Sequence, residues 1–143
     1  MSGEGPSVTP VTTIENPPGR GIARLGVVAL DCPDTVALAR FYSALTGWPL
    51  PPPDEDDQWV QLDPPDGQGA ALAFQKSPDH RPPQWPDGDV PQQLHIDFDV
   101  PDLDEGERAV LAIGARKHEV QPKPDSFRVY LDLAGHPFCL VRA

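Results

Sequence analysis

The sequence predicts an α+β fold in which two βαβββ repeats pair into a curved mixed sheet around a shared cleft. One observation is an internal repeat, because the segments LGVVALDCPDTVALARFYSALTG and LHIDFDVPDLDEGERAVLAIGA align with each other. A second is that each segment has the pattern of a strand followed by a capped helix, with further strand-like segments behind it. Neither unit can bury a sheet face alone, so we expect the two units to pair about a pseudo-two-fold axis.

The first repeat is predicted over about residues 22–78. It opens with ARLGVVALDC, whose β-branched residues favour a strand that stops at the Cys32-Pro33 step. Asp34 then stands at a helix N-cap position and Gly47 at the C-cap, because apolar residues between them recur at the spacing of one helical face. WVQLD and ALAFQ follow as strands around the turn PPDGQG.

The second repeat is predicted over about residues 92–143. In QLHIDFDV, apolar residues from Leu94 to Val100 alternate with polar ones, as they do in a half-buried strand. Asp102 and Glu105 form a capping-box pattern at the start of a helix, which Gly114 ends. RKHEVQ, SFRVYLD and HPFCLVRA are three further strand candidates.

The two repeats align at an offset of 69 residues before the proline turn and 68 after it. This alignment pairs Gly26 with His95 and Val28 with Asp97. Residues 22–143 are therefore expected to form a single domain, and residues 1–21, which are rich in Gly, Pro, Ser and Thr, a flexible leader.

Charge and composition exclude several classes of function. With 11 basic and 22 acidic residues the formal net charge is −11, so nucleic acid is not an expected partner, whereas a cationic small molecule or a metal ion would be attracted. No apolar run is long enough for a membrane span, and no signal peptide opens the chain, so a cytoplasmic protein is expected. Cys32 and Cys139 are expected to be reduced thiols.

These ordered motifs, together with the ending YLDLAGHPFCLV, resemble the vicinal oxygen chelate superfamily, and within it the glyoxalase-like and bleomycin-resistance-like domains. The resemblance covers residue 22 to the C-terminus. It implies a small-molecule cleft and a homodimer. It does not select a reaction, because the superfamily includes glyoxalases, extradiol dioxygenases, epimerases, thiol transferases and antibiotic-binding proteins.

The resemblance also implies metal ligands on the first and last strands of each half. Only His95 supplies a strong ligand at such a position, since Gly26, its partner in the alignment, has no side chain. Cys139 stands about where a carboxylate is expected, and Gln75 is the only polar candidate in ALAFQ. One histidine with an amide and a thiol is a poor donor set, so we expect no metal cofactor, with a divalent metal as the alternative.

The predicted ligand-binding residues are those expected to line the cleft. His95 and Asp97 lie two apart on one strand and share a face, where they could bind a polar ligand or transfer a proton. The alternatives are a histidine satisfied by a polar neighbour and a solvated aspartate. Aromatic and polar residues on other strands complete the predicted set, which is His95, Asp97, Gln75, Trp59, Arg128, Tyr130 and Val28. Cys139, within FCLV, is expected to be a buried and inert thiol.

Two hypotheses of function follow from these residues. The first is a protein that binds a small organic ligand, cationic or planar, in the manner of resistance by sequestration and without an intact metal site. The second is a divergent enzyme, a lyase, isomerase or dioxygenase, that uses either a metal or His95 as an acid and base. His95 is the best catalytic candidate under the second hypothesis.

Overall fold

A computed structural model describes residues 21–67 and 69–143 of the chain. Its elements follow one another as a strand, a helix and two strands, then a strand, a helix and three strands. Their bounds are β1 Val27–Cys32, α1 Thr35–Thr46, β2 Trp59–Leu62, β3 Ala71–Lys76, β4 Ile96–Val100, α2 Leu103–Ala112, β5 Arg116–Lys117, β6 Phe127–Leu131 and β7 Pro137–Arg142. The predicted leader lies almost entirely outside the described residues.

The strands form two mixed sheets, which confirms the α+β class. The first sheet has the order β1-β3-β2 and the second the order β4-β7-β6-β5. In each sheet the first strand of the half pairs in parallel with the last, and the remaining pairs are antiparallel. Among the described residues the first half has one strand fewer than the βαβββ repeat predicts. The proline-rich residues 49–53 occupy the position of the missing strand. Because proline cannot donate a hydrogen bond to a sheet ladder, this segment does not favour a strand.

The helices begin where the sequence predicts. The Asp34 carboxylate accepts from the Ala37 amide at 3.0 Å, and the Asp102 carboxylate accepts from the Glu105 amide at 3.0 Å. Gly47 ends α1 with φ of 78°, a left-handed conformation that glycine adopts without steric cost. No helix in the described part of the chain is long and apolar enough to cross a membrane.

One hydrophobic core joins the two halves. Tyr42 of α1 stacks on Phe74 of the first sheet with ring centroids 5.5 Å apart. The same ring lies 6.1 Å from Phe98 and 6.4 Å from Phe138, both in the second sheet. Tyr42, Phe74 and Phe138 are almost fully buried, and the contacts of Tyr42 with Phe98 and Phe138 join the first half to the second.

The register of the internal repeat differs by one residue from the predicted alignment of the first strands. Val28 faces the core in β1 as Ile96 does in β4, and both pack against the buried cluster. The offset is therefore 68 along the strand as well as after it, and Val27, not Gly26, corresponds to His95. A shift of one residue moves every side chain of a strand to the opposite face. The equivalence of Val28 with Asp97 was therefore wrong.

Candidate functional site

The open face of the second sheet carries a cluster of three polar side chains, His95, Asp97 and Cys139. Asp97 on β4 is directly paired with Cys139 on β7, so the two side chains share a face. His95 lies two residues before Asp97 and extends the same face. One donor atom from each residue lies within 4.8 Å of the other two, and we call this group the His-Asp-Cys cluster.

His95 is held between two polar partners. Its Nε2 lies 3.2 Å from Oδ1 of Asp97, and its Nδ1 lies 3.5 Å from the amide nitrogen of Gln92. A carboxylate only accepts, so in the neutral ring Nε2 carries the hydrogen and Nδ1 accepts from the Gln92 amide. The side chains of His95 and Asp97 are 45% and 52% exposed, which leaves both accessible to a ligand.

Cys139 is the buried residue of the His-Asp-Cys cluster. Burial, together with the neighbouring charge of Asp97 and a hydrogen bond to its carboxylate, raises the pKa of the Cys139 thiol to about 12. The thiol is therefore protonated at neutral pH and donates to Asp97. This agrees with the expectation of a buried thiol that is not activated as a nucleophile.

A pocket of about 300 Å³ opens beside His95 at the junction of the two halves. We call it the junction pocket. Its lining includes Ala29 and Asp31 from β1, His80 from the linker between the halves, and His95 and His136 from the second half. Its volume is at the lower end of the range typical of small-molecule sites.

Two histidines of the junction pocket are fixed by backbone carbonyls. Nε2 of His80 donates to the carbonyl of Ala134 at 2.9 Å, and Nε2 of His136 donates to the carbonyl of Asp31 at 2.7 Å. Their ring centroids lie 5.1 Å apart. The sequence did not predict His80 or His136 as site residues, because neither shows a periodicity that places it in a pocket.

The wall behind the junction pocket contains a buried hydrogen bond between the halves. The Tyr42 hydroxyl donates to Oδ2 of Asp132 at 2.6 Å. Oδ1 of Asp132 accepts from the amides of Ala134 and His136, which closes the turn that carries His136. Burial and the Asp132 charge raise the pKa of Tyr42 well above its ordinary value, so the phenol remains a donor.

Two predicted ligand residues, Arg128 and Tyr130, lie on the opposite face of the second sheet from His95. Tyr130 pairs with Phe138 and stacks on it, and its hydroxyl donates to Glu107 of α2 at 2.8 Å. Arg128 forms an ion pair of 2.9 Å with Asp104 of α2. The expected position of both residues in the cleft was wrong, because α2 covers this face and supplies carboxylates to its polar groups.

Trp59, Gln75 and Val28 are also separate from the junction pocket. Trp59 and Gln75 pair across β2 and β3 on the exposed face of the first sheet, and Trp59 lines a different pocket of about 430 Å³ beside the proline-rich residues 49–53. Val28 packs against the core and is not among the residues that line the junction pocket. Of the predicted set, the structure brings together His95 and Asp97, with Cys139 as an additional neighbour.

The resemblance implies metal-ligand positions on the first and last strands of each half, and only those in the second half carry donor side chains. In the second half they are His95 and Cys139. In the first half the corresponding residues are Val27 and Ala73, because Ala29 and Ala73 pair as Asp97 and Cys139 do. Neither side chain can bind a metal. A divalent site built from both halves of this chain therefore does not fit the residues present.

The model of the glyoxalase-like domain family matches residues 27–141, which span the nine helices and strands of the described residues except the final residue of β7. The chain belongs to the glyoxalase-like domain family. This match confirms the family inferred from the motifs. None of the curated proteins matches the sequence.

Solved structures share the fold of this glyoxalase-like protein at low identity. A glyoxalase/bleomycin resistance protein/dioxygenase family enzyme from Burkholderia phytofirmans PsJN has a TM-score of 0.62 at 18% identity over 84% of this chain and 98% of that one. A possible glyoxalase from Bacillus cereus has 0.60 at 15% over 82% and 97%. A bleomycin-binding protein complexed with bleomycin has 0.53 at 19% over 85% and 98%. At these identities the likeness shows the fold alone.

Proposed function

We propose that this glyoxalase-like protein binds a small organic ligand in the junction pocket. The observation that carries the proposal is the pocket itself, where both halves and their linker contribute side chains around His95. Binding, rather than the metal chemistry that the resemblance implies, is favoured because Val27 and Ala73 cannot complete a four-ligand site.

The lining of the pocket favours a ligand with one apolar and one hydrogen-bonding side. Ala29 and Leu94 provide apolar surface, and three imidazoles and the Asp31 carboxylate provide polar contacts. The rings of His80 and His136 are preoriented by their carbonyl partners and could pack against a planar ligand.

A cationic ligand is favoured by the charge of the whole chain. The net charge of −11 attracts cations over long range, and Asp97 and Asp99 lie on the same open face as His95. Arg81 also lines the junction pocket, so the pocket is not uniformly acidic. We therefore expect charge to increase the rate of encounter and the apolar walls to contribute most of the affinity.

Thermal-shift measurements with a panel of planar and cationic compounds, bleomycin included, test this proposal. A ligand present at about 100 times its Kd should stabilise the protein by about 2.7 kcal/mol. Ala29→Phe, which fills the pocket, and His95→Ala should abolish the shift, whereas Trp59→Ala, in the separate pocket, should preserve it. The proposal fails if no compound gives a shift or if the shift survives both pocket variants.

The proposal includes a homodimer. β1 and β4 lie at the ends of their sheets, and pairing with a second copy would protect such edges. Light scattering at micromolar concentration should give twice the mass of 15.5 kDa, and a monomer mass would contradict this part of the proposal. Turnover of a bound compound that requires His95 would instead support the enzyme hypothesis.

A further inference from the structure

β2 lies at the end of the first sheet, and no strand in the described part of the chain pairs with its outer edge. The Gln58 carbonyl accepts from the Lys76 amide at 2.8 Å, which fixes the phase of the ladder between β2 and β3. Because backbone groups alternate in direction along an antiparallel strand, those of Val60 face β3, whereas those of Trp59 and Gln61 face outward. Within the residues that the structure describes, these outward N–H and C=O groups have no hydrogen-bond partner, and we call them the β2 edge.

The second half closes the equivalent edge with its own chain. Val129 of β6 corresponds to Gln61 of β2, because β6 and β2 occupy the same place in their sheets. The Val129 amide donates to Oε1 of Gln121 at 3.0 Å, and its carbonyl accepts from Nε2 of Gln121 at 2.8 Å and from the His118 amide at 3.0 Å. The β2 edge therefore keeps a hydrogen-bonding capacity that the second half uses internally.

A groove of about 430 Å³ lies beside the β2 edge, and we call it the edge groove. It is bounded by β2, by Val36 and Ala39 of α1, and by the three prolines at residues 51–53. Prolines have no amide hydrogen, so this wall cannot donate hydrogen bonds to the outward carbonyls of β2. An extended peptide in the groove would lie next to unpaired backbone groups, which is the arrangement in which a peptide adds a strand to a sheet.

The two faces of an added strand would meet different side chains, because successive side chains of a strand point to opposite faces of the sheet. On the α1 face, Val36 and Ala39 present apolar surface. On the exposed face, Nε1 of Trp59 donates to Oε1 of Gln61 at 3.1 Å, and Nε2 of Gln61 donates to the Asp63 carboxylate at 2.9 Å. These hydrogen bonds hold the indole, which is 43% exposed, where its ring can cover an ammonium or guanidinium group.

The charge of the edge groove favours a basic occupant. Its acidic lining residues are Asp54, Asp56 and Asp63, and its basic lining residue is Arg40. Residues 1–20 of this chain carry two acidic residues and one basic residue, so they do not complement the groove. A second copy paired through β2 would bring the same carboxylates together, and each chain has a net charge of −11. A basic segment of another protein is therefore the occupant that charge complementarity favours.

We propose that the β2 edge binds an extended basic segment of a partner protein as an additional antiparallel strand of the first sheet. Apolar side chains of the segment lie against Val36, and its basic side chains lie beside Trp59 and Asp63. The backbone groups of the β2 edge contribute affinity for any extended chain, and the two faces select its side chains. This surface is separate from the junction pocket, so the proposal does not depend on the proposed function.

Binding of a synthetic peptide to the ¹⁵N-labelled full chain tests the proposal. The probe is a six-residue peptide in which valine and lysine alternate and both ends are blocked. We expect the largest chemical-shift changes at the amides of Trp59 and Gln61, and hydrogen exchange of both amides slowed at least about fivefold by saturating peptide. A peptide with glutamate in place of lysine should bind at least about tenfold more weakly.

Methylation of the peptide backbone separates strand addition from attraction by charge alone. In an antiparallel pair, as β5 forms with β6, the residue opposite Trp59 or Gln61 has its side chain on the same face and its amide hydrogen directed at β2. The lysines occupy these positions, so N-methylation of the lysines should weaken binding at least about tenfold. N-methylation of the valines, whose amides face solvent, is the matched control and should change the Kd by less than about twofold.

Two protein variants that each remove one carboxylate test the contribution of the groove. Asp63→Asn should weaken binding of the probe by about threefold or more, whereas Asp99→Asn, on β4 of the second sheet, should not change it. Equal effects of the two variants would overturn the proposal.

The amide measurements give the remaining outcomes that decide against the proposal. It is overturned if the probe leaves the Trp59 and Gln61 amides unchanged, or if the lysine-methylated peptide binds as tightly as the unmethylated one. It is also overturned if both amides are already protected from exchange before peptide is added, because residues 1–20 or a second copy would then cover the β2 edge.

Discussion

The Tyr42–Asp132 hydrogen bond should contribute more to stability than the chemically similar bond between Tyr130 and Glu107. Both rings are almost fully buried, and each hydroxyl donates to a carboxylate, at 2.6 and 2.8 Å. The acceptors differ, because Asp132 is 2% exposed whereas the Glu107 side chain is 21% exposed. Tyr42→Phe and Tyr130→Phe are therefore a matched pair of single-atom deletions.

The expected magnitudes follow from what each carboxylate retains. After Tyr42→Phe, Asp132 keeps two backbone amide donors, but water does not readily replace the lost hydroxyl, so unfolding should become easier by about 1.5–3 kcal/mol. After Tyr130→Phe, Glu107 keeps Lys117 at 3.0 Å and gains water, so the loss should be about 0.5–1.5 kcal/mol.

Equilibrium unfolding in urea measures both losses, provided that the slopes of the two transitions agree with that of the wild type. Because Tyr42 and the Asp132 turn shape the junction pocket, Tyr42→Phe should also weaken ligand binding, and Tyr130→Phe should not. Equal losses of stability, or a Tyr42→Phe protein as stable as wild type, would refute the assignment of this bond as a buried link between the halves.

Three further predictions concern titration, a turn and the second pocket. Folding raises the pKa of Cys139 from 9.0 to about 12, so the folded protein retains the thiol proton to a higher pH than the unfolded chain does. The free energy of unfolding should therefore fall as the pH rises from 9 to 12. Urea unfolding across that range should show a shallower fall for Cys139→Ser. Gly135→Ala should destabilise the protein by about 1–3 kcal/mol in the same assay, because Gly135 has φ of 87° and an added Cβ would lie 2.7 Å from Pro82. The control Gly26→Ala should be neutral, because open space surrounds Gly26. Trp59→Ala should leave the Kd of a junction-pocket ligand within about twofold by calorimetry, and a larger loss would place the ligand beside Trp59.

The fold was predictable because its signals are local. Helix caps at Asp34 and Asp102, the glycine that ends α1 and the alternation of apolar residues within β4 depend on neighbouring residues alone. The family motifs reinforced these signals, and the match to residues 27–141 confirmed the inference.

The register of the first strand was less predictable, for a physical reason. Apolar residues lie on both faces of the segment VVALDC, so alternation of polar and apolar residues does not reveal which face of β1 is buried. The exposed Leu94, which lies before β4 begins, resembled the first inward residue of that strand and extended the apparent alternation. The Pro33-Asp34 step fixes the alignment of the two repeats, and it supports the offset of 68 residues.

The candidate site was predictable in part. His95 and Asp97 followed from alternation within one strand, but the approach of Cys139 depends on the pairing of β4 with β7, which joins residues far apart in sequence. The sequence predicted Tyr130 in the cleft, whereas its ring is buried and its hydroxyl donates to the Glu107 carboxylate on α2. Sequence periodicity does not report which helix covers which face.

Binding at the junction pocket is tested most directly by mapping a ligand identified in the thermal-shift panel onto the amide spectrum of ¹⁵N-labelled protein. We expect the largest chemical-shift changes at Ala29, Asp31, Leu94 and His95, which line the junction pocket from both halves. Changes confined to Trp59 and the residues around its separate pocket, with the four junction amides unmoved, would contradict it.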